Sequence, residues 1–343
     1  MQFKNGTRTM SKSKVYIRES ITQKIQRHAK KIYESMLEYP DICSEFGKET
    51  ANMVLKRKCT LVSTEEYVDF ISDYLENELR TVLCEYKNHT FTPHQKPWIN
   101  NKYPIWVCWL QGEANMPEIC RICVDRIKKK APPNAEIVFI TYDNYLSYLD
   151  IPKEIVKKHE EGKICPTNYT DLIRYGLLAT YGGAWIDSGV FFTGDILEKA
   201  IGYEVYTPKF HSNKHEDASR GKWIGGCWFS KKGNILFDFA YDSLIYFWQH
   251  HNMAIDYLAA DYILWIAYSE LEEARQLVDS IPYNNENFRL LNNNLYLAYD
   301  RGLYQSIISD CQIHVFNRHP SYPKYYTDGR PTFYGQLISG NLD

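Results

Sequence analysis

The segment with the clearest potential for chemistry covers residues 170–190 and has the sequence TDLIRYGLLATYGGAWIDSGV. Its first half has helical spacing, which places Asp171 and Arg174 on one face, within the first turn of a helix. A short apolar run follows and ends at Asp187. An arginine at a helix N-terminus can bind anionic oxygens, and a carboxylate after a strand can hold a divalent cation on a diphosphate. Each residue alone is more often structural, as half of an ion pair or the start of a turn, but the combination predicts a ligand site.

The elements around this segment predict a mostly parallel α/β sheet. Short apolar runs indicate buried strands, and apolar residues three or four positions apart indicate helices. The helix that holds Arg174 is expected to begin at a capping residue, Thr170, and to end at Gly182-Gly183. Ligands of open α/β sheets bind beyond the carboxyl ends of the strands, which is where Asp187 is expected. The predicted strands are 104–110, 136–141, 184–186 and 190–192, and the predicted helices are 117–130, 170–181 and most of 233–280.

The first hundred residues predict a small helical domain. Residues 65–86 have one apolar face, and residues 15–38 have an apolar stripe at helical spacing. A stretch rich in Pro and Asn, residues 89–102, is typical of a linker. We therefore divide the chain into an N-terminal helical domain, residues 1–98, and an α/β domain, residues 99–343. The stripe consists of Ile21, Ile25, Ala29, Ile32 and Met36.

The N-terminal segment is strongly basic, with nine Lys or Arg in residues 1–31 against one acid, Glu19. The apolar stripe beside these charges is either buried against the rest of the protein or exposed. An apolar helix face usually packs on the rest of the protein, which would leave the basic residues as a solvated face. If the stripe is exposed instead, the helix is suited to peripheral contact with an anionic membrane.

Composition excludes several classes of protein. The 343 residues carry 40 Lys and Arg against 42 Asp and Glu, and this balance disfavours a generic nucleic-acid binder. There is no run of about 18 apolar residues and no apolar core of a secretion signal. The nine cysteines do not form a disulfide framework, and Cys120 and Cys123 are expected to be buried thiols on a helix. We expect a cytoplasmic protein, with peripheral contact at the inner face of the plasma membrane if the stripe is exposed.

The central segment resembles a known family. The pattern R-x-x-x-L-x-x-x-G-G-x-[YW]-x-D-x-D is typical of family-32-type retaining glycosyltransferases, and capsular polysaccharide synthesis proteins have a close variant with a W-I-D core. The residues that match are Arg174, Leu178, Gly182, Gly183, Trp185 and Asp187. Residues 105–112 (IWVCWLQG) resemble the first strand of that family. The resemblance covers residues 99–320 and implies a GT-A-type, Rossmann-like fold with helical insertions.

This resemblance also implies an activity and a set of site residues. It implies transfer of a hexose, with retention, from a nucleotide sugar, UDP-linked, to a hydroxyl of a glycan that is built on a lipid carrier. The implied catalytic residues are Asp171, Arg174, Asp187 and Asp261, the last from the element D-Y-x-x-x-D-Y. The implied donor-binding residues are Trp109, Gln111, Tyr142, Asp143, Thr170, Asp171, Arg174 and His319. A divalent cation, manganese or magnesium, would be held by Asp187 and Asn317.

One position departs from the family pattern, because Gly189 stands where the second Asp of D-x-D is expected. This departure puts the need for a metal in doubt. It also favours a rival interpretation, a catalytically dead GT-A-fold protein that binds sugars or acts as a scaffold. A second rival is a toxin-like enzyme that glycosylates a host protein. Donor hydrolysis by the purified protein, with and without manganese, would separate the active enzyme from the dead fold.

Overall fold

A computed structural model describes residues 21–98, 102–211, 218–318 and 321–342. These residues form thirteen α-helices and seven strands, which alternate through the middle of the chain. The helices are α1 (Ile21–Lys58), α2 (Thr64–Glu78), α3 (Arg80–Lys87), α4 (Glu118–Lys130), α5 (Lys153–Glu160), α6 (Pro166–Tyr181), α7 (Ile196–Ala200), α8 (Ile235–His250), α9 (Ala259–Glu270), α10 (Glu272–Asp279), α11 (Leu290–Asn294), α12 (Arg301–Asp310) and α13 (Phe333–Ile338). The strands are β1 (Tyr103–Cys108), β2 (Ala135–Ile140), β3 (Gly183–Ile186), β4 (Val190–Phe192), β5 (Val205–Tyr206), β6 (Cys227–Ser230) and β7 (Ile313–Val315).

The central sheet has five strands in the order β2-β1-β3-β6-β5. Strand β1 is parallel to both β2 and β3, with Ile105 opposite Ile137 on one side and Ala184 on the other. Strand β6 is antiparallel to β3 and to β5, so the sheet is mixed. The α/β class and the three parallel strands are confirmed, and the architecture is compatible with a Rossmann-like fold. Strand β6 runs against the other four strands, so the expectation of a mostly parallel sheet is wrong for the pairs β3–β6 and β6–β5.

Strand β4 lies outside the central sheet and pairs antiparallel with β7. Its register places Val190 opposite Val315 and Phe192 opposite Ile313. A run of three apolar residues indicates a buried strand, but it does not say which sheet the strand joins. The second sheet brings the segment after β7 next to the segment after β3, and this juxtaposition builds one wall of the site described below.

Helix α6 is the central helix of the molecule, and twelve of its sixteen residues are buried. It packs mainly against α8 and also contacts β3. The helix begins at Pro166, a position where proline is favoured because no backbone donor is lost. The expected start at Thr170 is therefore wrong, and Oγ1 of Thr170 donates instead to the carbonyl of Pro166 inside the helix, at 2.7 Å. As expected, the helix ends at Gly182.

The N-terminal helices pack against the helices of the second half of the chain. The predicted helix 65–86 is two helices, α2 and α3, which meet at Leu79, and α2 packs on α9 while α3 packs on α8. Its apolar face is confirmed, because Ile71, Leu75 and Leu79 are fully buried. Buried residues from α1 through α13 form one continuous cluster. A domain boundary at residue 98 stays a prediction.

The apolar stripe of the first predicted helix is not buried. Residues 15–20 lie outside the described residues, and α1 continues far beyond residue 38, with a kink at Gly47. Ile25 is 63% exposed and Met36 is 54% exposed. Of the two arrangements left open above, packing of the stripe on the rest of the protein is therefore not observed at Ile25 and Met36, and the buried apolar residues of α1 lie farther along the helix, at Ile42, Phe46, Ala51 and Val54.

Two further predictions concern cysteines and membrane helices. Cys120 and Cys123 on α4 are buried free thiols, as expected. Within the described ranges, each helix is too short or too polar to cross a bilayer.

Candidate active site

A cavity of about 890 Å³ opens at the carboxyl ends of β1 and β3. The segment after β1 contributes Trp109 and Gln111 to its wall, and the first turns of α6 contribute Thr170 and Arg174. Asp187, the residue after β3, lies on the floor between these two walls. The sheet thus brings together five residues that sequence reasoning assigned to one site. Ligands are expected at this position in an open α/β sheet.

The centre of the site is an arginine held between two carboxylates. Nη1 of Arg174 donates to Oδ1 of Asp171 at 2.6 Å, and Nη2 donates to Oδ1 of Asp187 at 3.2 Å. The guanidinium also lies over the ring of Trp185, 5.2 Å from its centroid. Asp171 and Arg174 are in the second and third turns of α6, so the expectation that they lie in the first turn is wrong. Their place on one helix face was expected, and the ion pair between them is the structural alternative named above, formed here in a buried setting.

Burial controls the protonation of this cluster. Burial raises the pKa of Asp171 to about 7, against the opposing effect of the Arg174 guanidinium. For Arg174, burial works against the charged form, but the carboxylates of Asp171 and Asp187 outweigh it and raise the pKa of the guanidinium. Arg174 therefore stays a cation throughout the range in which the protein is folded. Its Nε is buried and has no hydrogen-bond partner among the described residues.

Asp187 is fixed by its neighbours in the sheet. Its backbone N–H donates to the carbonyl of Gly226 at 2.8 Å, and its Oδ1 accepts a hydrogen bond from Nε1 of Trp185 at 2.7 Å. The other oxygen, Oδ2, faces Gly226, where a Cβ atom would lie only 2.4 Å away. The side chain remains 46% exposed toward the cavity. A half-exposed carboxylate is thus presented in one orientation.

The structure explains why Gly189 replaces the second acid of the D-x-D pattern. A Cβ atom at position 189 would lie 2.9 Å from the carbonyl oxygen of Phe316, closer than such contacts allow. The backbone of Phe316 is itself tied to this residue, because its N–H donates to the carbonyl of Gly189 at 2.8 Å. An aspartate at position 189 therefore requires a displacement of the chain after β7.

The residues around Asp187 form a sparse set of cation ligands. Across the described ranges there is no group of three or more His, Cys, Asp or Glu that could hold a metal ion. Asp187 offers Oδ2, because its Oδ1 already accepts two hydrogen bonds. Asn317 lines the same cavity, and its amide oxygen accepts a long hydrogen bond from Nη1 of Arg289, at 3.5 Å. Mg²⁺ typically takes one or two carboxylates together with substrate phosphates and water. This set fits a cation that arrives with a diphosphate, and not a cation held by protein ligands alone.

The remaining predicted residues are distributed around the cavity. Asn317 lies in its wall, and Asp261 lies behind it, where Oδ1 accepts a hydrogen bond from Nε1 of Trp223 at 2.8 Å. Tyr142 belongs to a neighbouring cavity of about 640 Å³, and its hydroxyl is 3.1 Å from Nε2 of His159. Asp143 is exposed and lines neither of these two cavities. His319 lies outside the described residues.

Three contributors to the site were missed by the sequence reasoning. Gly226 makes room for the Asp187 carboxylate, and Arg318 lies in the cavity wall with its guanidinium 5.7 Å from the ring centroid of Trp109. Tyr257, just before α9, lines the same cavity. Two signals were visible, the run of two glycines at 225–226 and the element D-Y-x-x-x-D-Y, which includes Tyr257. The partner of Gly226 could not be identified from the sequence, because Asp187 lies 39 positions away.

Comparison with known proteins identifies a family over most of the chain. A family model described as "Capsular polysaccharide synthesis protein" matches residues 52–337. This range begins inside α1, so it includes α2 and α3 as well as the region where the sequence resemblance was noted. No curated protein matches the chain. The relationship to family-32-type glycosyltransferases stays a prediction.

Proposed function

The chain belongs to the capsular polysaccharide synthesis protein family, and on this basis we propose that it is a glycosyltransferase in the assembly of a capsular or surface polysaccharide. The proposed reaction moves a hexose from a UDP-linked donor to a hydroxyl of a glycan acceptor, with retention at the anomeric carbon. Family membership supports a role in capsule synthesis. The geometry of the cavity supports the choice of an anionic, nucleotide-linked donor.

The single observation that carries this proposal is the buried arginine in the cavity wall. Arg174 is only 8% exposed, it lines the cavity, and it lies beside the half-exposed carboxylate of Asp187. A diphosphate supplies several anionic oxygens to a guanidinium in charge-assisted hydrogen bonds. Arg174 is thus suited to the diphosphate of a nucleotide sugar.

The other residues of the cavity suit the remaining parts of such a donor. The Trp109 ring offers a flat surface for a nucleobase, and aromatic stacking is tolerant of which base it receives. Thr170 and Gln111 offer side-chain donors and acceptors to hydroxyls of the ribose or the hexose. Arg318 places a second positive charge near Trp109, which favours the diphosphate further.

The proposed mechanism depends on positioning and on charge stabilisation. The bond between the anomeric carbon and the diphosphate oxygen breaks, and the acceptor oxygen bonds to the same face of the sugar. The acceptor proton passes to the departing diphosphate, so no protein nucleophile is required. Arg174 stabilises the charge that develops on the leaving group, and Asp171 positions Arg174. A role for Asp261 in orienting or deprotonating the acceptor stays a prediction.

A divalent cation has a limited place in this proposal. When bound with the donor, manganese or magnesium would neutralise part of the diphosphate charge. Asp187 and Asn317 would be the residues in contact with it. The carboxylate of Asp187 also compensates the charge of Arg174, so it contributes to the site whether or not a cation is present.

A screen of nucleotide sugars by thermal shift tests the choice of donor, because a ligand that binds the folded state raises the melting temperature. The donor that gives the largest shift is then used to measure hydrolysis and transfer, with and without manganese. Asp187→Asn should abolish turnover and leave the melting temperature of the free protein nearly unchanged. Asp150→Asn, at a carboxylate that is 88% exposed and pairs with Lys96, is the matched control.

Three outcomes of this experiment are informative. Turnover that is lost in Asp187→Asn and kept in the control supports the proposal. Tight donor binding without any turnover by the parent protein would indicate a dead GT-A fold that binds sugars. Unchanged turnover in Asp187→Asn would refute the assignment of this cavity as the donor site.

A further inference from the structure

The first half of α1 exposes an apolar surface that the rest of the described chain does not cover. We define the α1 apolar face as Ile25, Tyr33, Met36 and Leu37, whose side chains are 54–63% exposed. At about 100° per residue, spacings of eight, three and one residues place the four side chains within an arc of about 120° on one side of the helix. Scattered exposed apolar residues are ordinary, but four on one helix face form a patch of the kind that marks an interaction surface.

Helix α1 docks on the core through a different face and through its C-terminal half. Ile42 and Phe46 are buried, and the Phe46 ring stacks on Phe247 with centroids 6.3 Å apart. His251 fixes the same region, because its ring lies between the carboxylates of Glu45 and Glu78, at 3.2 and 3.1 Å. The α1 apolar face therefore contributes nothing to the packing that holds the helix in place.

The charges around the α1 apolar face are mainly positive. Residues 21–40 contain four Lys or Arg and two Glu, and residues 1–31 contain nine Lys or Arg and one acid. Lys30 and Lys31 are exposed, and Lys30 forms a surface ion pair with Glu34 at 3.6 Å. The basic segment also lies outside the range that matches the family model, residues 52–337.

We propose that the α1 apolar face binds the surface of an anionic lipid bilayer, with α1 lying parallel to the membrane plane. An amphipathic helix of this composition inserts its apolar side at the level of the headgroups while its lysines contact anionic lipids. A second copy of the chain is a poorer partner, because two basic segments would then be brought together and repel one another. The surface does not depend on the proposed activity, since none of its residues lines the cavity.

Flotation of the full-length protein with vesicles tests this surface directly. Vesicles of phosphatidylcholine alone and of phosphatidylcholine with about one third phosphatidylglycerol are compared at low and at high salt. We expect binding to the anionic vesicles, weakened by salt because the attraction to the surface is screened. Met36→Asp combined with Leu37→Asp should lower the fraction bound at least about tenfold, because apolar burial at the headgroups is lost.

Matched variants separate this surface from general effects of charge or hydrophobicity. Leu61→Asp changes an apolar residue that is 74% exposed but lies outside α1, and it should leave binding unchanged. Lys30→Glu combined with Lys31→Glu should lower binding to anionic vesicles about tenfold or more. Lys153→Glu combined with Lys157→Glu, on the exposed side of α5, is the control with the same change in net charge.

Several results would overturn the proposal. Equal binding to neutral and anionic vesicles would refute the proposed attraction to anionic lipids. Binding that is unchanged in the α1 variants would show that the α1 apolar face is not the surface that contacts the membrane. A concentration-dependent dimer that Leu37→Asp dissociates, together with an absence of vesicle binding, would assign the face to a second copy. Thermal shift with the donor nucleotide shows that each variant is folded, and it reports on the cavity independently of the membrane.

Discussion

Replacing Gly226 with alanine should damage the site without any change in a charged or catalytic side chain. The φ of Gly226 lies outside the left-handed region, so the backbone accepts alanine. The added Cβ would lie 2.4 Å from Oδ2 and 2.7 Å from Cγ of Asp187, and therefore the carboxylate must rotate. Rotation moves Oδ1 away from Nε1 of Trp185 and from Nη2 of Arg174, which it now meets at 2.7 and 3.2 Å.

The expected magnitude follows from these two lost contacts. The indole of Trp185 is fully buried, and a buried donor that loses a charged acceptor costs about 1.5–3 kcal/mol. The ion pair with Arg174 adds less than about 1 kcal/mol, because Asp187 is half exposed and solvent screens its charge. We expect the free energy of unfolding to fall by about 2 kcal/mol and kcat/KM to fall about ten- to hundredfold.

Urea unfolding and steady-state transfer, measured on the same preparations, test this prediction. Gly202→Ala is the control, because a Cβ at that glycine would meet its nearest neighbour, the carbonyl oxygen of Lys199, at 3.4 Å. The control should resemble the parent protein in both measurements. If Gly226→Ala also has the stability and turnover of the parent, then Asp187 is not held in the orientation described here and the reasoning fails.

Three further predictions address other parts of the protein. Arg174→Ala should weaken binding of the nucleotide diphosphate about ten- to hundredfold in calorimetry, whereas Arg275→Ala on the exposed side of α10 should not; equal affinities would contradict the diphosphate assignment. Trp109→Ala should raise the Kd for UDP by a similar factor through lost stacking, and an unchanged Kd would place the base elsewhere. Burial lowers the pKa of His314 to about 4, so the stability it supports is complete above pH 6.5 and falls by about 3 kcal/mol as the pH drops to 4. Urea unfolding of His314→Gln should show a weaker loss than the parent over this range, and identical pH profiles would refute the prediction.

Sequence patterns correctly predicted the features that depend on residues close together in the chain. The apolar runs of β1, β2 and β3 identified buried strands, and the spacing of Asp171 and Arg174 predicted that they share one face of α6. The position of Asp187 after an apolar run predicted its place at the carboxyl end of a strand. These features depend on neighbours within a few residues, and a periodic pattern records them directly.

Features that depend on distant segments could not be predicted in the same way. Strand β6 follows β3 by about forty positions. The sequence does not determine whether two strands so far apart pair, or whether they pair parallel or antiparallel. The same holds for Gly226, whose importance appears only when β6 is placed beside β3. The start of α6 was predicted too late because Thr170 was interpreted as a cap. A threonine inside a helix can instead bond to the carbonyl of the preceding turn, as Thr170 does with Pro166.

The contact between Gly189 and the carbonyl of Phe316 has a consequence for how this site can evolve. A chain with this backbone cannot regain the second acid of D-x-D through one substitution, because the new side chain would collide with the main chain of another segment. The acid becomes accessible only after a change near Phe316 has moved that carbonyl. The two positions therefore form a pair in which the order of mutations matters. Relatives that have the acid are expected to differ from this protein in the path of the chain after β7.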